Sequence, residues 1–481
     1  MTKQIQEKTR IAFIIPPPLE TQFKFVSYQQ PINLAYLAAS VRRSGNEPVI
    51  WDYGAGGFAE SYFLRKVADF KPHAIGIHCK TFNIIQGNQL AGIIKKHFPG
   101  IFIIVGGPHS SAMPEDTLKE FANFDMVVVG EGDITITEIC EKLKSSNFPD
   151  GIKGTVSREN SKISANPPRE LVSDLDSLEY PARDLFDKEL YKKFHCTRGL
   201  PYYNLCATEM FTSRGCPGKC IFCAVNVSYG NCVRFRSVDN CLGEVEECLH
   251  RYKYDHLVIQ DDAFTLKKQR VYEFLDGFRK LGLKSWSCDT RVDTVDEELI
   301  KAMVASGCKK ISFGVESGSE KILKLIKKNI TPAQVKKAVG WAKKAGLKIT
   351  ECTFIVGSHP DETHEDVELS WKLMKELKPD ILSVSSIVPY PGTEVYRLMK
   401  EKGYLLEDNW GDFQMIGTRL NWRTKNFDPS EITKLQLSLI NRYYFSLSYI
   451  LGRLKKINSI DDVRYWAKAC LDYVNLLVKN K

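Results

Sequence analysis

The sequence predicts an α/β protein with an open, doubly wound parallel sheet at its amino end, a second strand–helix array, and a small helical end. Three observations carry this. Short apolar runs alternate with helix-period stretches five times before residue 146. The alternation resumes six times between residues 206 and 402. Beyond residue 403 the pattern becomes helical and aromatic. Parallel strands need crossovers long enough to return to the same edge, so alternation of this kind builds sheets with helices on their faces. The 481 residues divide on this reading into 1–146, a linker with a small hairpin at 147–205, a second strand–helix unit at 206–402 and a helical unit at 403–481.

The first unit opens with an apolar strand at 10–15, stopped by Pro16, Pro17 and Pro18. Leu34, Leu37, Ala38 and Val41 then recur at helical spacing, and Gly45 ends that helix. Further strands are expected at 48–51, 74–79, 101–105 and 125–129, with helices at about 60–70, 83–98, 114–121 and 135–145. Ligands of such sheets bind beyond the carboxyl ends of the strands. The glycine turns fall there: Gly106, Gly107, Pro108 and His109 after the fourth strand, and Gly130, Glu131 and Gly132 after the fifth. Glycine lets a large ligand approach the backbone closely. No G-x-G-x-x-G follows the first strand, which argues against a dinucleotide. In the linker, segments 151–157 and 162–165 flank a polar turn and read as a hairpin.

In the second array, strands are expected near 210–214, 256–260, 285–290, 309–315, 348–356 and 381–388. Helices are expected near 238–250, 267–281, 296–306, 319–345 (broken at Thr331 and Pro332), 363–377 and 393–402. The first strand runs into Arg214, Gly215, Cys216, Pro217, Gly218, Lys219, Cys220, Ile221, Phe222 and Cys223. Three thiolates at C-x3-C-x2-C spacing can hold three irons of a four-iron, four-sulfur cluster and leave one iron open. A zinc knuckle is the alternative, but it needs a fourth ligand and no second C-x2-C pair lies nearby. The other chemistry-bearing residues also follow strands: Asp261 and Asp262, Arg291, Glu316 and Ser317, then Gly357, Ser358 and His359. In strand–helix barrels the carboxyl rim is the reactive face.

Composition narrows the class. Apolar content of 43% and charged content of 26% are those of ordinary globular chains. A net charge of +9 over this length gives no nucleic-acid signature. No apolar run approaches the ~18 residues of a membrane span. The polar start Met1, Thr2, Lys3 and Gln4 does not read as a signal peptide. Fourteen cysteines then point to metal binding or burial in a reducing, cytoplasmic setting. Cys196, Cys206, Cys232, Cys241 and Cys248 surround the motif without repeating its spacing, and buried thiols account for them. In the last unit a helix is expected from Pro429 to about Lys455, aromatic over 437–451 and followed by Arg453, Lys455 and Lys456. It reads as a helix closing the barrel mouth, or as a surface for a lipid-like substrate or a membrane.

The cysteine loop, with its G-C-P start and the aromatic Phe222 before the last cysteine, resembles the radical S-adenosylmethionine (SAM) superfamily. That resemblance implies an open (β/α)6 barrel and a [4Fe-4S] cluster on Cys216, Cys220 and Cys223. It also implies SAM at the open iron and its reductive cleavage to a 5'-deoxyadenosyl radical. It implies a low-potential electron donor of flavodoxin or ferredoxin type and an anaerobic host. By motif, Asp261 and Asp262 meet the SAM amino group, Arg291 its carboxylate, Glu316 and Ser317 the ribose, and Gly357 the adenine. The glycine turns of the first unit resemble the cobalamin-binding domain that precedes many such barrels, with Gly106, Gly107, His109, Gly130 and Glu131 as cofactor contacts. The D-x-H-x-x-G that supplies a lower cobalt ligand is absent: residues 16–20 are Pro16, Pro17, Pro18, Leu19 and Glu20. The combination implies C-methylation of an unactivated carbon in a small-molecule or lipid-like substrate. Ring-forming oxidative cyclisation is the alternative, and a non-catalytic cobalamin or iron–sulfur sensor is the alternative from another class.

Overall fold

The computed structural model describes residues 8–18, 29–146, 148–193, 205–406, 409–414, 420–460, 462–464, 466, 467 and 471. Cys196, Cys470, Leu19 and Glu20 therefore lie outside the described residues.

The first sheet holds β1 (Arg10–Ile15), β2 (Glu47–Asp52), β3 (Ala74–His78), β4 (Phe102–Gly106), β5 (Met126–Val128), β6 (Thr155–Glu159) and β7 (Lys162–Ala165). Their order is β2-β1-β3-β4-β5-β6-β7. The first five are parallel, and Ile11–Ile14, Ile75, Ile77 and Ile103–Val105 are buried on both faces, as a sheet between two helix layers requires. The strand order reverses between β1 and β3, which opens a crevice at their carboxyl ends. The hairpin expected in the linker instead extends this sheet. Asn160 (φ 47°) and Ser161 (φ 68°) form a two-residue turn that sets Glu159 opposite Lys162, and Val156 pairs antiparallel with Val127. Burial of Val156 fixes that register.

The second sheet is built from β8 (Ala207–Met210), β11 (His256–Ile259), β12 (Trp286–Thr290), β13 (Cys308–Glu316), β14 (Ile349–Val356) and β15 (Ile381–Ser386). All its pairings are parallel, in the order β15-β14-β13-β12-β11-β8. Among the described residues β8 and β15 do not pair with each other, so the barrel is open. The single strand expected at 210–214 breaks after Met210. A short β9 (Ser213–Arg214) turns away and pairs antiparallel with β10 (Arg234–Phe235), so the cysteine loop is the excursion between them.

The long helix expected at the tail also breaks, into Pro429–Tyr444 and Leu447–Leu454, because Ser446 caps the second piece through the Tyr449 N–H at 3.3 Å. The first piece packs on the exposed edge of the barrel. Gln436 Nε2 donates to the Val384 carbonyl (2.8 Å), and Tyr444 Oη donates to the Leu382 carbonyl (2.9 Å) and accepts from its N–H (3.0 Å). Side chains thus satisfy the unpaired backbone of an edge strand.

Candidate active site

The cysteine loop is shaped by its glycines and by the segment that covers it. Gly215 has φ +91°, and a Cβ there would lie 2.2 Å from the Cys232 carbonyl oxygen, so only glycine fits. Gly218 N–H points at Cys216 Sγ (3.4 Å), the Cys223 N–H donates to the Cys220 carbonyl (3.1 Å), and Cys220 Sγ faces the Lys327 carbonyl at 3.8 Å. Ile221 N–H donates to the Ile326 carbonyl (3.2 Å), which ties the loop to the chain after β13. Burial pushes the Cys220 thiol up, while Lys328 and Arg291 pull the other way. Burial also pushes Cys223 up to about 11, with Asp262 and the two other thiols adding to it. Cys216, Cys220, Cys223, Asp262, Arg291, Glu316 and Lys328 therefore share one neighbourhood. No three His, Cys, Asp or Glu side chains among the described residues converge as ligands of a single ion. Thiolates that each take a different iron do not need to converge on a point.

The rim residues divide into those facing the loop and those committed to the fold. Asp261 belongs to the second group. It is buried and accepts from the Thr212 N–H (2.6 Å), the Ser213 N–H (3.1 Å), the Ser213 hydroxyl (2.6 Å) and the Thr212 hydroxyl, so it pins the break between β8 and β9. Asp262, its neighbour, is solvent-accessible and has no hydrogen-bond partner among the described residues. Burial of its surroundings and the Asp261 and Asp289 carboxylates raise it to about 6. Arg291 forms a two-pronged pair with Asp293 (2.9 and 2.8 Å) and donates to the Lys328 carbonyl (2.9 Å). Its Nη1 lies 3.8 Å from where a Gly218 Cβ would stand. Glu316 ends β13 in the left-handed region (φ 69°) and pairs with Lys328 Nζ at 2.8 Å. That pair needs Gly314, where a Cβ would sit 2.6 Å from both partners.

Ser317 turns inward instead. It is fully buried, contacts Ser370 Oγ at 3.3 Å and accepts from the Ser319 N–H (3.2 Å), so it braces the helix His364–Leu377. Gly357 (φ +69°) ends β14 under Ile387 and Ile432, with Glu362 accepting from its N–H and from that of Ser358 (3.1 Å). Burial pushes Glu362 up to about 8. His359 is spent on its own turn, its Nδ1 accepting from the Asp361 N–H (3.1 Å).

The first sheet carries a cavity of about 180 Å3 beyond the carboxyl ends of β1, β3, β4 and β5. Gly76, Gly106, Gly107, Gly130 and Gly132 line it together with His78, Tyr36, Arg214 and Tyr229. A Cβ on Gly106 would meet only the Val128 carbonyl oxygen at 3.9 Å, so glycine here leaves room that a side chain would fill. Gly107 (φ +116°) has no such room, because its Cβ would strike the Cys79 carbonyl oxygen at 2.3 Å. Burial holds the His78 imidazole at about 4, neutral at pH 7. Of the expected contacts, Glu131 lines this cavity, held by ion pairs, whereas His109 does not. Glu131 is locked by Arg214 (2.9 Å), Arg234 (2.8 Å) and the Val172 N–H (2.9 Å), while Asp133 takes the rest of Arg214 (2.8 and 3.1 Å). His109 is buried outside the cavity, edge-on to Trp410 at 4.9 Å between ring centres.

Tyr229 belongs to the helix Val225–Tyr229, which begins two residues after Cys223. One short helix therefore joins the cysteine loop to the first-sheet cavity. Gly392 sits at the same junction, a Cβ there lying 2.8 Å from Val227 and 3.1 Å from Ala112. Sequence reasoning missed His78, Lys328 and Tyr229. Lys328 hid in the run Lys324 to Lys328, which reads as a solvated surface, whereas Tyr229 and His78 gave no local signal. A larger cavity, about 820 Å3, opens at the opposite, amino ends of β13 to β15 and is remote from this chemistry.

A family model of the radical SAM superfamily matches residues 210–374, and one of the B12 binding domain matches residues 23–140. An uncharacterized methyltransferase of Pyrococcus horikoshii is 34% identical over 425 residues, covering 88% of this chain and 90% of its own length. An anaerobic magnesium-protoporphyrin IX monomethyl ester cyclase of Rubrivivax gelatinosus is 26% identical over 404 residues, 82% of this chain and 70% of the cyclase. The solved structure of the cobalamin-dependent S-adenosylmethionine radical enzyme OxsB, with aqua-cobalamin and S-adenosylmethionine bound, superposes with a TM-score of 0.73. That likeness of fold covers 96% of this chain and 70% of OxsB at 18% identity.

Proposed function

The chain belongs to the radical SAM superfamily and carries a B12-binding domain ahead of its barrel, and on that premise we propose that it transfers a methyl group to an unactivated carbon. Its cofactors are a [4Fe-4S] cluster, SAM and cobalamin. Bound together, they supply reductive SAM cleavage and a transferable methyl group. The observation that carries the reading is the helix Val225–Tyr229, which starts beside Cys223 and ends in the wall of the first-sheet cavity. It sets the two cofactor sites one short helix apart.

The residues present suit these groups. Three thiols at C-x3-C-x2-C spacing, with Cys232 of the same excursion standing outside that spacing, fit a cluster with one open iron. The cations Arg291 and Lys328 beside the loop offset the negative charge of thiolates. Asp262, the carboxylate left without a hydrogen-bond partner among the described residues, would take the SAM ammonium. Glu316, held by Lys328, would accept from a ribose hydroxyl. Arg291, fixed in place by Asp293, keeps Nη1 for the SAM carboxylate. Glycine at 106, 107 and 130 gives cobalamin a backbone cradle. Asp261, Ser317 and His109 hold the scaffold that presents these groups, and Glu131, held by Arg214 and Arg234, forms part of the cavity wall. The methyl outcome is supported by the name of the 34% identical relative. The cyclase relative supports oxidative ring formation as the second reading.

Anaerobic reconstitution with iron, sulfide and hydroxocobalamin tests the proposal. The expected result is SAM-dependent 5'-deoxyadenosine release, lost on changing Cys216, Cys220 and Cys223 together to alanine. With methyl-labelled SAM and a cell extract as substrate source, labelled carbon should appear in the product. A purified product without the label would give the reaction to the cyclase reading.

A further inference from the structure

Exposed apolar side chains are concentrated at one place. Of the 13 large hydrophobic residues exposed among the described residues, eight fall between residues 445 and 471. A scattered surface leucine needs no explanation, but a cluster does. On the helix Leu447–Leu454, Leu447 (77% exposed), Ile450, Leu451 and Leu454 repeat at i, i+3, i+4 and i+7 and so make one stripe. Phe445 flanks it on one side, and Ile460 and Val463 lie beyond it. The helix is capped by Ser446 and held to the barrel by Tyr449, whose hydroxyl donates to the Asp380 carbonyl (3.2 Å). The stripe is therefore presented by a fixed helix.

The helix and its flanks carry cations only, although Asp380 beneath the helix and Glu368 beside Arg442 take up three of them. No Asp or Glu occurs between Glu431 and Asp461, while Lys434, Arg442, Arg453, Lys455 and Lys456 do. Arg453 and Lys456 are bound to Asp380, which fixes them under the helix, and Lys455 is exposed beside Leu454. No helix among the described residues is long and apolar enough to cross a membrane. An apolar stripe flanked by cations is the chemistry of a helix lying in the headgroup layer.

We infer that the face formed by Phe445, Leu447, Leu451 and Leu454, with Lys455, docks this enzyme on the surface of an anionic lipid bilayer. The face lies on helices that cover the β15 edge and is separate from the cysteine-loop rim, so the inference is independent of the methyl-transfer reading. Burying the leucines supplies the apolar part of binding and the lysines supply the part that salt screens.

The test is co-sedimentation of the full chain with phosphatidylglycerol-containing vesicles and with pure phosphatidylcholine vesicles, at low and high salt. Binding is expected to the first set, weakened by salt, and about tenfold or more weaker for Leu447→Gln/Leu451→Gln/Leu454→Gln. Lys455→Glu should lose the preference for anionic vesicles with an unchanged unfolding transition, which controls for a leucine variant that misfolds. Equal binding to both vesicle types, or none to either, overturns the inference. So does a concentration-dependent dimer that the leucine variant abolishes, since the face would then belong to a second copy.

Discussion

Two adjacent carboxylates show how much a single residue's surroundings decide. Asp261 accepts four hydrogen bonds and Asp262 none from the described residues. Asp262 is raised to about 6, so folding favours its neutral form, and its charge costs stability as the pH rises from the ordinary carboxylate range through 6. Asp262→Asn should therefore gain stability over the parent above pH 6 and lose that advantage at low pH, as read by urea unfolding across pH. With Asp262 taking the SAM ammonium as proposed, parent affinity should fall below about pH 6 by equilibrium dialysis, while the asparagine variant binds weakly and without that step. At Lys328 the expectation is structural. The Glu316–Lys328 pair is buried, and Lys328→Met strands a carboxylate beneath Gly314, at a cost of about 3–5 kcal/mol. Chemical denaturation measures that cost directly.

Glycine-bearing turns are the elements that separate making the fold from making room. Gly106 and Gly107 end the same strand yet differ in what a methyl group would meet. Gly106→Ala should leave the unfolding midpoint nearly unchanged and weaken cobalamin uptake, because its Cβ enters the cavity rather than the protein. Gly107→Ala should lower the midpoint as well, since its Cβ strikes the Cys79 carbonyl and its φ is positive. Absorbance of bound hydroxocobalamin after gel filtration, beside thermal melts, distinguishes the two. The turn at Asn160 and Ser161 acts at the same scale. Two residues in the left-handed region convert what reads as a linker hairpin into the outer strands of the first sheet.

Across the whole molecule, buried charge joins the units. Glu244 is fully buried and pairs with Arg183 (2.5 Å) and with Arg236, while Tyr36 of the first unit reaches it at 3.4 Å. Arg183 comes from the connector, Arg236 and Glu244 from the barrel, so one carboxylate ties three stretches of chain. Glu244→Gln leaves two buried guanidinium groups without their counter-charge, and the cost should be about 3–5 kcal/mol. Differential scanning calorimetry should show the first unit and the barrel separating into two transitions in that variant. A second tie runs through Arg214 to Glu131 and Asp133, directly ahead of the cysteine loop. A third is the Trp410 indole N–H, which donates to Glu120 at 2.8 Å.

The chain by itself determined its periodic elements, the cysteine spacing and the rim on which the chemistry lies. Those depend on local signals: strand and helix periods, glycine at the turns, and the rule that barrel sites collect at carboxyl ends. It also set the break at Thr331 and Pro332, where Thr331 and Gln334 cap a new helix. Only the tertiary structure decided which member of each motif is free to act. Asp261 and Asp262 have the same side chain and adjacent places, but Thr212 and Ser213 close on one of them. Glu131 lines the first-sheet cavity, but it is Arg214 and Arg234, more than 80 residues away, that fix its carboxylate there. Lys328 and Tyr229 became part of the site only when distant segments folded over the cysteine loop. Hydrogen bonds and ion pairs between segments far apart in sequence leave no local pattern, and such contacts decide which side chains the fold holds and which it leaves open.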